Sequence, residues 1–258
     1  MTLRYPSFVL LLALLIPYQL LAVSTPHLVI RTEEDPPLTF HQDGKVTGLV
    51  GDVVQEIQRR LGNQDTIEVK PWARSYRETQ SGANNVLFST TRTRAREHLF
   101  KWVGPVVEVQ GGLFVLRSNT LALRSLADAK KLKRIIVVRD WYLQQILTEH
   151  GFSNLTLVTN PTQMLDMLMR NRADAIVSEN VSLSYQLRQL GYDPAQVKMA
   201  MVIAQNYGYI AFSPQTQDAI VRSWQEALDE MKLDGSFAAI YQHWLPNESP
   251  PASGIHSP

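Results

Sequence analysis

The pattern of apolar and polar residues in the first part of the chain predicts strands that alternate with helices. Residues 27–32 are apolar and β-branched, as in a buried strand, and Asp35-Pro36-Pro37 then predicts a turn. A helix follows with Asp52 as its expected N-cap, Gly62 as its stop and one apolar face, formed by Val53, Val54, Ile57 and Leu61. Strands at 66–69 and 86–89 enclose a helix at 76–81. This order predicts an α/β layer with a mostly parallel sheet.

The same alternation starts again after Gly111-Gly112. Strands are predicted at 113–116, 135–138, 155–158 and 173–177, and helices at 126–131, 143–150 and 161–170, the last with Asn160 as N-cap and Pro161 at its first position. A strand at 207–212 and an amphipathic helix that begins near Ile220 and ends at Gly235 follow. The Pro- and Ser-rich residues 246–258 are predicted to be a disordered tail. The sequence therefore predicts two α/β units.

The N-terminal segment has the features of a secretory signal peptide. Arg4 precedes an apolar run at 8–16, Pro17 ends this run, and the small residues Ala22 and Ser24 follow. We assign residues 1–24 to a cleaved signal peptide, because the run is too short for the ~20 residues of a membrane span; an uncleaved anchor is the alternative. The folded part is then expected outside the cytoplasm and soluble.

Composition narrows the classes of partner. The chain has 258 residues, no cysteine and a formal net charge of +1, with acidic and basic residues interspersed. This charge gives no field strong enough to indicate nucleic acid as a partner. Common catalytic and phosphate-binding motifs are absent, and the six histidines show no metal-ligand spacing, so neither a metal nor a cofactor is predicted. Binding of a small polar molecule is left as the leading hypothesis.

Polar clusters follow the predicted strands, where α/β sheets present ligand-binding groups. The first contains Glu33, Glu34 and Asp35, and the second runs from Ser89 through Thr91 to Arg96. Arg96 is a candidate clamp for a carboxylate, with the two hydroxyls beside it. Glu179, after the last strand of the second unit, is a candidate acceptor for an ammonium group. The alternative for Arg96 is a solvated basic segment.

Trp72 and Trp141 also follow strands and are candidates for apolar walls of the same site. Packing in the core is the competing explanation for both residues. Three other tryptophans lie at core-facing positions and are interpreted as structural, namely Trp102, Trp224 and Trp244.

Taken together, several motifs resemble the bacterial periplasmic solute-binding proteins of family 3, the polar amino-acid type that serves ABC importers. The likeness covers residues 26–245 and rests on the order and spacing of G-x-x-x-D at 48–52, a T-x-x-R segment at 93–96 that leads to 100–105, D-A-x-x-x-E at 174–179, the closing strand at 207–212 and a terminal W at 244.

The resemblance implies a type II, two-lobed fold without catalysis, in which two hinge strands near 107–110 and 204–207 join the lobes. Lobe 1 would comprise 25–108 and 207–245, and lobe 2 would comprise 109–206.

The resemblance also implies the roles of the site residues. Arg96 matches the family arginine that holds the ligand carboxylate, Ser89 and Thr91 match the polar residues beside that arginine, and Glu179 matches the acid that holds the amino group. Asp35 replaces an aromatic lid residue, and Arg139-Asp140-Trp141 replaces a turn of small residues that donates hydrogen bonds to the ligand, so Asp140 is also a candidate ligand-binding residue.

The expected function is periplasmic binding of an amino acid or related zwitterion by a monomer, which delivers it to the membrane permease of an ABC importer. Two alternatives stay open. One is an enzyme on the same scaffold that resembles the cyclohexadienyl dehydratases, with Glu33, Glu34 or Glu179 as general acid. The other is a stand-alone sensor that presents its ligand to a membrane receptor.

Overall fold

A computed structural model describes residues 27–120, 123–246 and 248–251, so the predicted signal peptide lies outside the described residues. The strands are β1 (Val29–Thr32), β2 (Phe40–Gln42), β3 (Lys45–Thr47), β4 (Ile67–Val69), β5 (Asn85–Thr91), β6 (Lys101–Leu116), β7 (Ile135–Val138), β8 (Leu155–Val158), β9 (Ala175–Glu179) and β10 (Val197–Phe212). The helices are α1 (Leu49–Leu61), α2 (Trp72–Ser81), α3 (Leu126–Ala129), α4 (Tyr142–Glu149), α5 (Pro161–Met169), α6 (Asn180–Gln189), α7 (Asp218–Asp234) and α8 (Ser236–Trp244).

Eight of these strands form one sheet in the order β4-β1-β5-β10-β6-β9-β7-β8, and β2 and β3 form a separate hairpin. Both ends of the sheet are parallel, since β1 pairs with β4 and β5, and β7 pairs with β8 and β9. The long strands β6 and β10 are antiparallel to each other, from the pair Val197 and Leu116 to the pair Phe212 and Lys101. This architecture confirms the α/β fold with a mostly parallel sheet.

The core divides into a part near each end of the sheet. The first part comes from residues 28–109 and 210–241, and the second comes from residues 113–197. Within each part, alternate residues of a strand face opposite layers: Val86 and Phe88 contact one apolar cluster and Leu87 the other. Helices therefore cover both faces of the sheet. The chain forms the second part of the core with residues 113–197 and then completes the first part with residues 210–241.

Helix α1 shows where local sequence reasoning was right and where it was wrong. The helix ends at Gly62 in the left-handed conformation, as predicted, but it begins at Leu49 and not after Asp52. Its N-cap is Gly48 at φ 104°, where a Cβ would lie 2.6 Å from the Leu38 carbonyl oxygen. The Asp52 carboxylate instead accepts hydrogen bonds from Thr47 and from the indole of Trp244. Tertiary contacts, not the capping pattern, fix the start of this helix.

Other boundaries also differ from the predictions. Strands β7 and β8 and the Asn160 cap of α5 are confirmed, whereas β6 and β10 are far longer than predicted and α2 begins at Trp72. Helix α6 was missed because it follows β9 without a break and buries polar Ser182 and Gln186 on the same side as leucines.

The described part of the predicted tail, residues 246 and 248–251, has neither helix nor strand, and Pro251 is buried. The rest of that tail lies outside the described residues. Within the ranges that the structure describes, no helix has the length and hydropathy needed to cross a membrane.

Candidate functional site

A cavity of about 30 Å³ lies at the carboxyl ends of β1, β5, β7 and β9, and its walls come from both parts of the chain. By this measure it has room for on the order of two water molecules. We call it the chamber, and its lining residues are Glu33, Asp35, Trp72, Ser89, Thr91, Arg96, Trp141, Tyr142, Glu179 and Ser182. Two wider grooves of about 540 and 320 Å³ lie outside it, and the smaller one also touches Glu33.

Arg96 is only 1 % exposed and lies on an aromatic floor. Its guanidinium carbon is 5.5 Å from the ring centre of Trp72 and 4.8 Å from that of Tyr76. Its Nε donates to Gln145 at 3.0 Å, and one Nη donates to the Asp140 carbonyl at 2.7 Å. A longer contact of 3.5 Å reaches the Thr91 carbonyl. Because a guanidinium has five N–H donors, Arg96 keeps donors for a further acceptor in the chamber.

Ser89 lies in β5, lines the chamber together with Arg96 and combines two unusual features. Its backbone is left-handed, at φ 57°, which is uncommon for a residue other than glycine. Its hydroxyl oxygen is buried and has no hydrogen-bond partner among the described residues. Strained backbone and unsatisfied buried hydroxyls both concentrate at ligand-binding sites.

Three carboxyl groups, those of Glu33, Asp35 and Glu179, face the chamber. Burial is the main reason why their pKa values rise, and repulsion from Asp35 raises the pKa of both glutamates further. The pKa of Asp35 rises to about 6 and that of Glu179 to about 8. Arg96 opposes this rise at both glutamates. The chamber therefore holds more acidic than basic groups, and Glu179 retains its proton near neutral pH.

Tyr142, the first residue of α4, lines the chamber with Glu179 and lowers the pKa of Glu179 relative to burial alone, and its buried hydroxyl has no hydrogen-bond partner among the described residues. The position of the Tyr142 side chain depends on Gly111, which pairs with Glu179 in the sheet. A Cβ at Gly111 would lie 2.4 Å from the tyrosine hydroxyl oxygen. The first glycine of the Gly111-Gly112 pair thus makes room for a wall of the chamber.

The turn between β7 and α4 links the two parts of the molecule directly. The carbonyl of Asp140 accepts hydrogen bonds from Arg96 and, at 2.9 Å, from the indole of Trp72. The indole of Trp141 donates to Glu33 at 3.1 Å. On the other side of the chamber, Gln186 of α6 donates to Asp35 at 2.7 Å. These bonds hold the chamber in a closed form.

Of the nine residues predicted from the sequence, seven line the chamber: Asp35, Trp72, Ser89, Thr91, Arg96, Trp141 and Glu179. Glu34 and Asp140 do not. The Glu34 carboxylate is exposed and pairs with His41 at 2.6 Å, and Asp140 contributes its backbone carbonyl rather than its carboxylate.

Glu33, Tyr142 and Ser182 also line the chamber, although the prediction of binding residues omitted them. Glu33 lies directly after β1 and could have been chosen over its neighbour, because side chains alternate along an extended segment. No such signal marked Tyr142 or Ser182. The position of the Tyr142 side chain depends on Gly111, and Ser182 lies in helix α6, which was not predicted.

The donor set favours binding of an organic solute. No group of three or more His, Cys, Asp or Glu side chains within the described ranges is arranged to hold a metal ion. The chamber offers acids for a positive charge, a guanidinium and a hydroxyl for a carboxylate, and indoles for an apolar part.

Solved structures of similar fold belong mainly to ligand-binding proteins. The sensor domain of a histidine kinase that resembles periplasmic binding proteins is 23% identical, with a TM-score of 0.75 over 87% of this chain and 99% of that one. An ancestral arginine-binding protein bound to arginine is 25% identical, with a TM-score of 0.71 over 85% and 98%. A putative L-cystine ABC transporter protein from Listeria monocytogenes is 20% identical, with a TM-score of 0.75 over 88% and 99%.

No curated protein matches the sequence. The family model of the bacterial extracellular solute-binding proteins, family 3, matches residues 28–247. This match spans both parts of the core and every chamber residue, and the fold agrees with type II periplasmic binding proteins. The chain therefore belongs to family 3 of the bacterial extracellular solute-binding proteins.

Proposed function

We propose that this protein binds a small cationic solute, most simply an amino acid with a basic side chain, and closes two lobes around it. The observation that carries the proposal is the excess of acid in the chamber, where Glu33, Asp35 and Glu179 face a single guanidinium, that of Arg96.

The charge count favours a ligand with positive charge. With all three acids ionised, the chamber has a net charge of −2, which is costly in a closed site of low dielectric constant. A neutral zwitterion leaves this charge unchanged, whereas a basic amino acid reduces it to −1. One retained proton shared among the three acids then neutralises the site, which agrees with their raised pKa values.

Arg96 and Ser89 would hold the carboxylate of such a ligand. Arg96 keeps free donors, the buried Ser89 hydroxyl has no partner among the described residues, and both residues line the chamber. The ancestral arginine-binding protein, seen with arginine and also with glutamine, supports an amino acid as ligand. Because that protein takes both compounds, the preference for a cation rests on the acids of this chain.

Closure would occur about a hinge. Residues 108–110 pair with residues 205–207 in the middle of β6 and β10, within the expected hinge segments 107–110 and 204–207 and where the two parts of the core meet. We place lobe 1 at 25–108 and 207–245 and lobe 2 at 109–206. An amino acid is larger than the closed chamber, so entry requires the lobes to separate and break the bonds between Asp140 and Arg96 and between Trp141 and Glu33.

Delivery to an ABC importer in the periplasm, after removal of a signal peptide at 1–24, is the role that we propose for the bound state. The histidine kinase sensor domain supports a second candidate, in which the same closure signals to a membrane receptor. Cross-linking of the ligand-bound protein in membranes separates the two roles, because the captured partner is either a permease or a receptor.

Substitution of two matched arginines tests the proposal. Arg96→Lys should weaken binding of arginine and lysine by at least about tenfold, because a point charge cannot replace the planar donor set. Arg92→Lys is the control: Arg92 also lies against two aromatic rings and pairs with an acid, Glu97, but outside the chamber. Calorimetric titration measures both affinities.

Equal affinities for both variants would contradict the assignment of Arg96 to the ligand carboxylate. In a separate assay, turnover of prephenate or arogenate by the purified protein would favour the enzyme alternative.

A further inference from the structure

Trp141 is one of the side chains that join the two parts of the core across the chamber, and it packs on both of them. Its indole packs against the apolar cluster around Val138 and Leu165 and also against the cluster around Trp72 and Phe100. Its N–H donates to Glu33 in the other part of the chain. An indole placed in this way closes one side of the chamber and orients one of its acids.

The turn that carries Trp141 is fixed from several directions. Asp140 has a left-handed backbone at φ 61°, its N–H donates to Gln144, and its carbonyl accepts from Trp72 and Arg96. The indole is therefore held by its own turn as well as by its contacts. Since the chamber measures about 30 Å³, a side chain of this size at its wall takes space that a ligand would otherwise use.

We propose that Trp141 determines specificity by setting the largest ligand around which the two lobes can close, while its N–H keeps Glu33 directed at the ligand. This inference rests on the proposed function, because it assumes a cationic amino acid. A smaller residue at position 141 would shift the preference toward longer ligands without changing the required charge.

A graded series of diamino acids tests the inference: diaminopropionate, diaminobutyrate, ornithine and lysine differ by one methylene each. In calorimetric titrations, wild type should bind the short members best. Trp141→Ala should shift the optimum by at least one methylene, with a gain of roughly fourfold for each methylene that becomes buried. Trp141→Phe keeps a ring but no N–H, so it should weaken all four compounds without changing their order.

Trp244→Phe is the matched control, because its indole also donates to a carboxylate, Asp52 at 2.8 Å, but outside the chamber. Trp141→Leu repeats the test should the alanine variant fail to fold. The same order of affinities in wild type and in both smaller variants would overturn the inference and leave the proposed function standing. Failure of the wild type and of every variant to bind any of the four compounds would overturn the cationic ligand and this inference with it, whereas binding by Trp141→Ala alone would support the size limit but contradict the proposed binding of these compounds by the wild type.

Discussion

At the scale of single residues, burial governs the chemistry of the chamber acids. Burial raises the pKa of Glu179 to about 8 and that of Asp35 to about 6, so the folded protein holds protons that the unfolded chain releases at lower pH. Stability that depends on these protons is fully present below the ordinary carboxyl pKa. It is lost as the pH rises through the raised values, so the free protein should become less stable between about pH 4 and pH 8.

Glu179→Gln tests whether the stability of the free protein falls as the pH rises. The amide needs no proton to stay neutral, so the variant should lose much of the decline in stability that wild type shows toward about pH 8, an effect on the order of a few kcal/mol. Chemical denaturation of the free protein at a series of pH values measures it. Glu149→Gln, which removes an exposed carboxylate, serves as control. A wild-type protein that grows more stable over this range would contradict the account.

At this scale, side chains that follow strands could be placed around the chamber from the sequence, whereas side chains positioned by tertiary contacts could not. Arg96, Ser89 and Glu179 could be predicted because strand ends mark the binding edge of an α/β sheet. Tyr142 could not, because its place depends on the missing side chain of Gly111 in another strand. Glu34 was chosen together with its neighbours, although its side chain points to solvent and to His41.

At the scale of elements, the turn after β7 matters through its backbone. Asp140 was predicted as a ligand-binding side chain, but its carbonyl, not its carboxylate, contacts Trp72 and Arg96. The pattern of residues could not show this, because it gives no information on which atoms of a turn face the site. Helix α6 was missed for a related reason, since its buried polar residues weaken the apolar periodicity.

Asp140→Gly tests the role of this backbone. Glycine adopts the left-handed conformation of residue 140 without strain and keeps the carbonyl, so stability should stay within about 1 kcal/mol of wild type. Ligand affinity should stay within about threefold. Thermal unfolding and calorimetric titration provide the two measurements. Loss of binding with an intact fold would show that the carboxylate itself contacts the ligand.

At the scale of the whole molecule, alternation of strands and helices was enough to predict the α/β class. The long pairing of β6 with β10 was not predicted, because only short parts of each strand carry a strong apolar pattern. That pairing joins the two parts of the core, and the chamber forms where those parts meet. Under the proposed function, ligand size, ligand charge and lobe closure are linked, because a cation that neutralises the acids would also stabilise the closed form.

The central claim is that a cation takes the place of protons in a closed acidic chamber. Calorimetric titration of arginine in buffers of different ionisation enthalpy, from about pH 5.5 to about pH 8, tests it most directly. Affinity should rise with pH, and protons should be released on binding, because ionised Asp35 and Glu179 hold the ligand. Binding that weakens with pH, takes up protons, or favours glutamate over arginine and lysine would contradict the account.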